Sequence, residues 1–365
     1  MAVRRLHTAV APALVTLLGA TGAAYAAAPT TTAAPAAAPS IAEATAKTVG
    51  WSDDRYVGGV EVVRGPAGMR AQSGGQTITG HVFVDSNQNS RMDRREKGLA
   101  GVRVSNGRDI VTTDRRGRYT LPAFENMTVT ITQPAGYQVP VDENNVAQFH
   151  YNHLPAGSPG EYRFGGLEPT GPLPSALNFP LVKSKASAAK EQSCVMAGDL
   201  QTYSVREIAY GRDGALKDLS DRGPLSACGA LFLGDVAGDD LGLYPQMKDA
   251  VGIVNGPIRF LPGNHDLDFD ATDPLHAFDT FRQHMGPAYF SYDVGDTHVI
   301  ALNTVRYPCD ETDNADGNRP QCVGDNPAYN GRIDDDQMAW LKADIEGTPK
   351  DKLIVLAAHI GLMNF

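Results

Sequence analysis

The chain has 365 residues, 42% of them hydrophobic and 20% charged, with a formal net charge of −10 and four cysteines. That length accommodates two domains of ordinary size, and the composition is that of a globular chain rather than a disordered one. The acidic balance argues against a nucleic-acid backbone as the main partner, because such binding rests on clustered Lys and Arg; it suits a protein that uses carboxylates to hold cations or to stay soluble.

Arg4 and Arg5 precede an uncharged apolar stretch, Ala9 to Ala24, and Ala24-Tyr25-Ala26 has the form of a cleavage site. Residues 1–26 are therefore expected to be a signal peptide and the protein to be exported, to the periplasm or beyond. The stretch is short for a membrane span, so no transmembrane anchor is expected. Residues 27–49 collapse to Ala, Pro and Thr, a composition that cannot bury a core and predicts an extended linker. Residues 50–75 carry only VEVV as a strand candidate and stay unassigned.

From residue 76 to 183 the pattern is β. TITGHVFVD, GVRVSNG, DIVTTDRRGRYTL and MTVTITQP alternate in polarity between Gly, Asn and Asp turns, and ALNFPLV supplies a last strand. Short strands at this spacing predict a small β-sandwich. The pieces G-x-V-F-x-D, G-V-x-V-S and V-T-T-D-x-x-G-x-Y-x-L resemble the Ig-like or transthyretin-like repeats of secreted bacterial proteins. Inside this domain, DSNQNSRMDRRE places oxygen side chains at positions 1, 3, 5, 9 and 12 of a twelve-residue loop: Asp85, Asn87, Asn89, Asp93 and Glu96. That is calcium-loop spacing. Against it, Ser90 stands where the bend calls for Gly, Arg94 and Arg95 crowd the loop, and no helices flank it. A calcium site and a long polar hairpin both fit.

After a Ser/Lys/Ala linker at 184–191, residues 192–365 alternate apolar strand-like runs (CVMAG, ALFLG, IRFLPG, HVIAL, KLIVLAA) with stretches of helical period. The expected fold class is α+β overall, an Ig-like β-sandwich followed by an αββα (α/β) domain. In DDDQMAWLKADIEG, Met338, Leu341 and Ile345 fall on one predicted helical face behind an acidic N-terminus. Cys309 and Cys322 flank a polar loop without a core of its own, and a disulfide there would stabilise it by about 3 kcal/mol. Cys194 and Cys228 sit in apolar runs and are expected to be small buried residues; their spacing matches no zinc pattern.

The polar residues of this second domain fall at strand ends. The first strand ends in GDLQ, giving Asp199 and Gln201. The next ends in GDVAGDD, giving Asp235, Asp239 and Asp240. The third ends in GNHD, giving Asn264, His265 and Asp266, and a late one ends in AAH, giving His359. Open α/β sheets place ligands beyond the carboxyl ends of their strands. Asp, Asn, Gln and neutral His form a mixed oxygen and nitrogen donor set that suits Mn, Fe or Zn, and a carboxylate can bridge two such ions.

GDLQ, GDVAGDD, GNHD and the late His together resemble the calcineurin-like metallophosphoesterase superfamily. The wider stretches FLGDVAGDDLGLYPQM, LPGNHDLDFDATDPLHAFDTFRQHMGPAYFSYDVGDTHVIALNTVRYP and DKLIVLAAHIGL look like its secreted bacterial branch with an N-terminal Ig-like domain. The resemblance implies Asp199 and Gln201 at a first metal, Asp235 bridging, and Asn264 and His359 at a second. It implies His265 as proton donor or oxyanion stabiliser oriented by Asp266, Asp239 as a supporting group, and hydroxide activated by two divalent cations as nucleophile. The family also closes its site with a Gly-His-x-His block, and none stands between His359 and Phe365, so the expected domain stops short of it. His276, His284 and His298 stand singly and are expected on helix or strand surfaces.

The function expected from the sequence is therefore an exported phosphoesterase acting on phosphate mono- or diesters, with a phosphorylated small molecule or a cell-envelope component as substrate. The alternative is a non-catalytic secreted binding protein that carries an incomplete phosphoesterase domain. A carbohydrate-active enzyme using Asp235 and Asp266 as a carboxylate pair would leave the Asn, Gln and His positions without a role.

Overall fold

The computed structural model describes residues 15–18, 51, 55–65, 76–309 and 328–362. The Ala/Pro/Thr stretch and Cys322 lie outside them.

The β domain consists of two sheets. One is built on Thr77–Val84 and Ala176–Lys183, which run parallel with Val82 opposite Phe179. Arg118–Pro122 pairs with the first of these strands and Glu61–Val63 with the second. The other sheet runs His150–His153, Met127–Ile131, Arg103–Ser105, Ile110–Thr112 and is antiparallel throughout. Along Arg118–Pro122, Tyr119 and Leu121 are buried while their neighbours are exposed, the period of two expected of a sheet with one wet face. Ile78, Val82, Leu121 and Phe179 meet Val104, Val129 and Ile131 in one core. The described part of the unassigned stretch joins it, since Glu61–Val63 is a strand of the sheet and Tyr56, 2% exposed, donates to Asp85.

The described residues from 192 onward are layered. Val195–Ala197, Ala230–Leu233 and Ile258–Leu261 form one parallel sheet. Leu353–Ala358, Thr297–Leu302 and Phe290–Val294 form another. Leu231, Leu233 and Leu261 share a core with Val299, Ala301 and Ala357, so the two sheets pack face to face. Residues one step along point the other way. Phe232 and Phe260 pack with Ile208, Tyr244 and Met247 of the helical stretch, and Ile300 and Leu302 pack with Trp340 and Leu341 of the helix Asp335–Glu346. Helix, sheet, sheet, helix is the result. All four residues of Ala230–Leu233 are buried, as a strand covered on both faces requires. Val15–Leu18, inside the expected signal peptide, pairs in parallel with the edge of Leu353–Ala358, whose backbone groups offer an open ladder to any apolar strand.

Four expectations change. The 184–191 stretch is not a loose linker: Ser184 caps a short helix, Ala186 enters the core, and the Ser187 carbonyl accepts from Gly295 N–H. On Asp335–Glu346 the buried face carries Gln337, Trp340, Leu341 and Asp344, while Ile345 is exposed; two polar residues on the inner face hide its period. Strand residue His298 is fully buried, with its ring nitrogens 2.7 Å from Asp293 and from Asp344. Cys194 and Cys228 form a disulfide across 34 residues, worth about 4 kcal/mol on the chain-entropy model. Cys309 is also disulfide-bonded.

Candidate metal centre

The four polar sets converge where the strands end. Two backbone features bring them close. A Cβ on Gly263 would lie 2.1 Å from the Asp235 carboxylate, and one on Gly234 would lie 2.6 Å from Gly263 N, so both turns need glycine to pass each other. Asp199, Gln201, Asp235 and Asp239 all have positive φ, between 38° and 67°. Non-glycine residues in this region cost of order 1–3 kcal/mol each and persist where the surroundings over-determine them. Four in one site mark a backbone bent to aim side chains inward.

Ligand atoms of Asp199, Asp235 and His359 lie within 4.8 Å of one another. His359 Nδ1 is 2.8 Å from the Leu233 carbonyl, which only accepts, so that nitrogen carries the proton. Its Nε2 then faces acceptors: Asn264 Oδ1 at 3.0 Å and Asp235 Oδ1 at 3.4 Å. Asp199 Oδ1 is buried and accepts no hydrogen bond. Burial holds the Asp199 carboxyl above its ordinary value; the His359 ring opposes this and the Asp235 carboxylate adds to it. An orphaned carboxylate oxygen, an amide oxygen and an imidazole lone pair around one point are acceptors awaiting a cation. The residues fit a divalent metal.

The remaining predicted residues sit around this cluster in altered relationships. His265 donates its backbone N–H to Asp235 Oδ1 at 2.9 Å, and its ring Nδ1 is 2.8 Å from Asp239 Oδ1. Asp239, not Asp266, orients the ring. Asp266 is fully buried and accepts from Gly263 N–H at 2.9 Å, Val236 N–H at 3.1 Å and the Tyr244 hydroxyl at 2.9 Å. It pins the GD turn to the GNHD turn and has no surface to offer a substrate. Burial pushes its carboxyl up to about 6, against the hydrogen bond from Gly263. The Gln201 amide nitrogen donates to the Tyr203 hydroxyl at 3.2 Å, outside the cluster, while the Gln201 backbone N–H donates to the Asp235 carbonyl. Asp240 caps the turn that follows, accepting from Gly242 N–H. Tyr244 and Tyr203 are the residues the sequence did not single out; neither sits in a polar strand-end set.

The calcium-spaced loop looks different. Asp85, 1% exposed, accepts from the Tyr56 hydroxyl at 2.5 Å and from Ser90 N–H at 2.8 Å. Glu96 accepts from the N–H groups of Ser86 and Asp93. Asn87 and Asn89 donate their amide groups to Asp93, whose carboxyl is thereby held below its usual range. Ser90 makes the bend at φ 60°, doing what the missing glycine would do. Elsewhere, a cavity of about 590 Å³ is lined by Arg108, Phe124, Tyr289, Arg306 and Trp340 and includes none of the cluster.

Residues 86–168 match the model of the N terminal of calcineurin-like phosphoesterase. The match supports the metallophosphoesterase superfamily. The matched span lies in the β domain, so it is independent of the strand-end residues that point the same way. Serine-aspartate repeat-containing protein C of Staphylococcus aureus, strains N315 and Mu50, is 32% identical over 109 residues, covering 28% of this chain and 10% of the relative. The chain thus spans about a tenth of the length of the curated relatives it matches. Among solved structures, purple acid phosphatase PPD1 from yellow lupin (Lupinus luteus) seeds aligns with 71% of this chain and 46% of its own, at 12% identity and a TM-score of 0.33. Among the described residues, no helix is long and apolar enough to cross a membrane.

Proposed function

We propose that the chain is an exported phosphoesterase that hydrolyses phosphate mono- or diesters at a centre of two divalent cations. The observation that carries this is the convergence of Asp199, Asp235 and His359, with one buried Asp199 oxygen left without a donor. Asp199 would hold one cation, Asn264 and His359 the other, and Asp235 both. Mn, Fe and Zn all suit these donors. Bound there, the cations supply Lewis acidity, making a water acidic and neutralising charge on the phosphoryl oxygens.

The side chains do the rest. The Leu233 carbonyl fixes the His359 tautomer so that Nε2 faces inward. Asp239 holds the His265 ring through Nδ1–H; with that ring as imidazolium, its Nε2–H would pass a proton to the departing oxygen. Asp266 keeps both turns in register without touching substrate. An expected leader and an Ala/Pro/Thr stretch ahead of the β domain suit a small-molecule or envelope phosphate ester met outside the cytoplasm.

Hydrolysis of bis-p-nitrophenyl phosphate with Mn²⁺ tests this directly, beside the Asp235→Asn variant. The expected result is activity in the parent, a loss of about 10³-fold or more in the variant, and a fall in bound metal measured by mass spectrometry. Unchanged metal content in Asp235→Asn would refute the site. Metal binding without hydrolysis in the parent would favour a binding protein.

A further inference from the structure

One flank of the cluster is aromatic, and no step of the proposed hydrolysis uses it. Tyr203 is 53% exposed, yet it is held at several points. Its backbone N–H donates to Glu207 at 2.6 Å, and its hydroxyl accepts from the Gln201 amide at 3.2 Å. Its ring stands edge-on to the His265 ring, centroids 6.5 Å apart at 79°. It also lies on the bare backbone of Gly238, where a Cβ would come within 2.5 Å of it. An exposed tyrosine usually samples several rotamers; this one is fixed with an open face beside the proton donor.

Two residues close by in the chain are also exposed, and a hollow lies near them. Val205 and Tyr210 are 58% and 68% exposed. A hollow of about 270 Å³ lies between Gln201, Tyr210 and the apolar side chains of Leu200, Ile208 and Met247. Phosphate itself has no apolar surface, so the Tyr203 ring can contribute to binding only through the organic part of an ester. A rigid, two-torsion aromatic side chain is suited to stacking on a flat ring at low entropic cost.

We propose that Tyr203 is the specificity-determining residue for the leaving group and that it selects phosphate esters whose leaving group carries a planar ring, aryl or nucleobase. The proposal rests on the phosphoesterase assignment and goes beyond it by naming the substrate class. Stacking on an aromatic side chain is worth about tenfold to hundredfold in affinity. The ring would lie over Tyr203 while the ester oxygen stays within reach of His265.

The experiment compares phenylphosphonate with methylphosphonate, neither of which can be hydrolysed, by calorimetry on the full chain with Mn²⁺. Parent, Tyr203→Ala and Tyr203→Trp are each measured. The parent should bind phenylphosphonate about tenfold more tightly than methylphosphonate. Tyr203→Ala should remove that advantage with little change for methylphosphonate, and Tyr203→Trp should keep it. A parent that binds both phosphonates equally overturns the ring preference and leaves the phosphoesterase assignment standing. Equal losses for both ligands in Tyr203→Ala overturn it too, since Tyr203 would then merely brace His265. Binding of neither phosphonate, with no ester hydrolysed, overturns both.

Discussion

Two loops of this molecule concentrate oxygen side chains, and they treat them in opposite ways. At Asp85–Glu96 the carboxylates are satisfied by the chain itself: Asp85 by Tyr56 and Ser90, Glu96 by Ser86 and Asp93, Asp93 by two asparagine amides. Around Asp235 the acceptors of His359, Asn264 and Asp235 face one another and one oxygen of Asp199 has no donor. Oxygen count alone does not separate the two. What separates them is whether the surrounding donors are enough, and a cluster short of donors is the one suited to a cation.

The largest effect follows from that shortage. Asp199→Asn should abolish metal binding and cut phosphodiester hydrolysis by about 10³-fold or more. It should also raise the melting temperature of the metal-free protein. Burial and Asp235 already hold the Asp199 carboxyl up, so a neutral amide relieves a destabilising charge. Calorimetry in EDTA decides it. A lower melting temperature for the variant would mean the cluster is satisfied without a metal, and the contrast between the loops would fail. The raised carboxyl also means that protons compete with the metal earlier as the pH falls than for an ordinary aspartate.

Asp266→Asn comes next and should act on stability in both metal-loaded and metal-free protein. An amide group would face N–H and O–H donors that now have an acceptor, at a cost of about 2–4 kcal/mol. Chemical denaturation measures it. A loss of activity without a loss of stability would return Asp266 to the catalytic role that its sequence position suggests.

That reversal shows how far the sequence could be followed. The strand ends are legible because these buried strands are mostly apolar until they leave the sheet, with Arg259 an exception, so GD, GD, GNHD and AAH each announce a place and a side-chain type. Distances across the sheet were not legible. Asp239 lies 26 positions from His265 and Asp266 only one, yet the ring turns to the distant residue because its neighbour is occupied by Tyr244 and two turns. The Cys194–Cys228 bond was equally illegible, because it depends on the turn before Ala230–Leu233 bringing Cys228 alongside a residue 34 positions earlier. The inner face of Asp335–Glu346 was obscured because Gln337 and Asp344 are polar residues buried by specific partners: Asn303 for the first, Ser291 and His298 for the second.

The His298 network gives a smaller, pH-dependent effect remote from the metal. Burial pushes its imidazole down, but Asp293 and Asp344 outweigh this and hold it above the ordinary histidine value. Arg103 and Lys352 face the same carboxylates. A raised value means the folded state binds the proton more tightly, so the contribution is complete below about pH 6.5 and is lost as pH rises through the folded value. The stability difference between parent and His298→Gln should therefore be wider at pH 6 than at pH 9. A difference constant with pH would show the ring to be neutral at both.

The smallest expected effect is calcium at Asp85–Glu96, and it completes the comparison. Five oxygen side chains at calcium spacing favour an ion, but binding must first detach Asn87 and Asn89 from Asp93 and turn their oxygens inward. Asp85 must also share oxygens now used by Tyr56 and Ser90. A site that begins satisfied binds weakly. With a dissociation constant of about 1 mM, 10 mM calcium would add about 1.4 kcal/mol, a melting shift of a few degrees at most. Scanning calorimetry of the Asp235→Asn variant in calcium and in EDTA isolates this loop from the metal cluster. A shift of ten degrees would mean that the self-satisfied loop yields to an ion as readily as the orphaned cluster demands one, and donor shortage would no longer distinguish them.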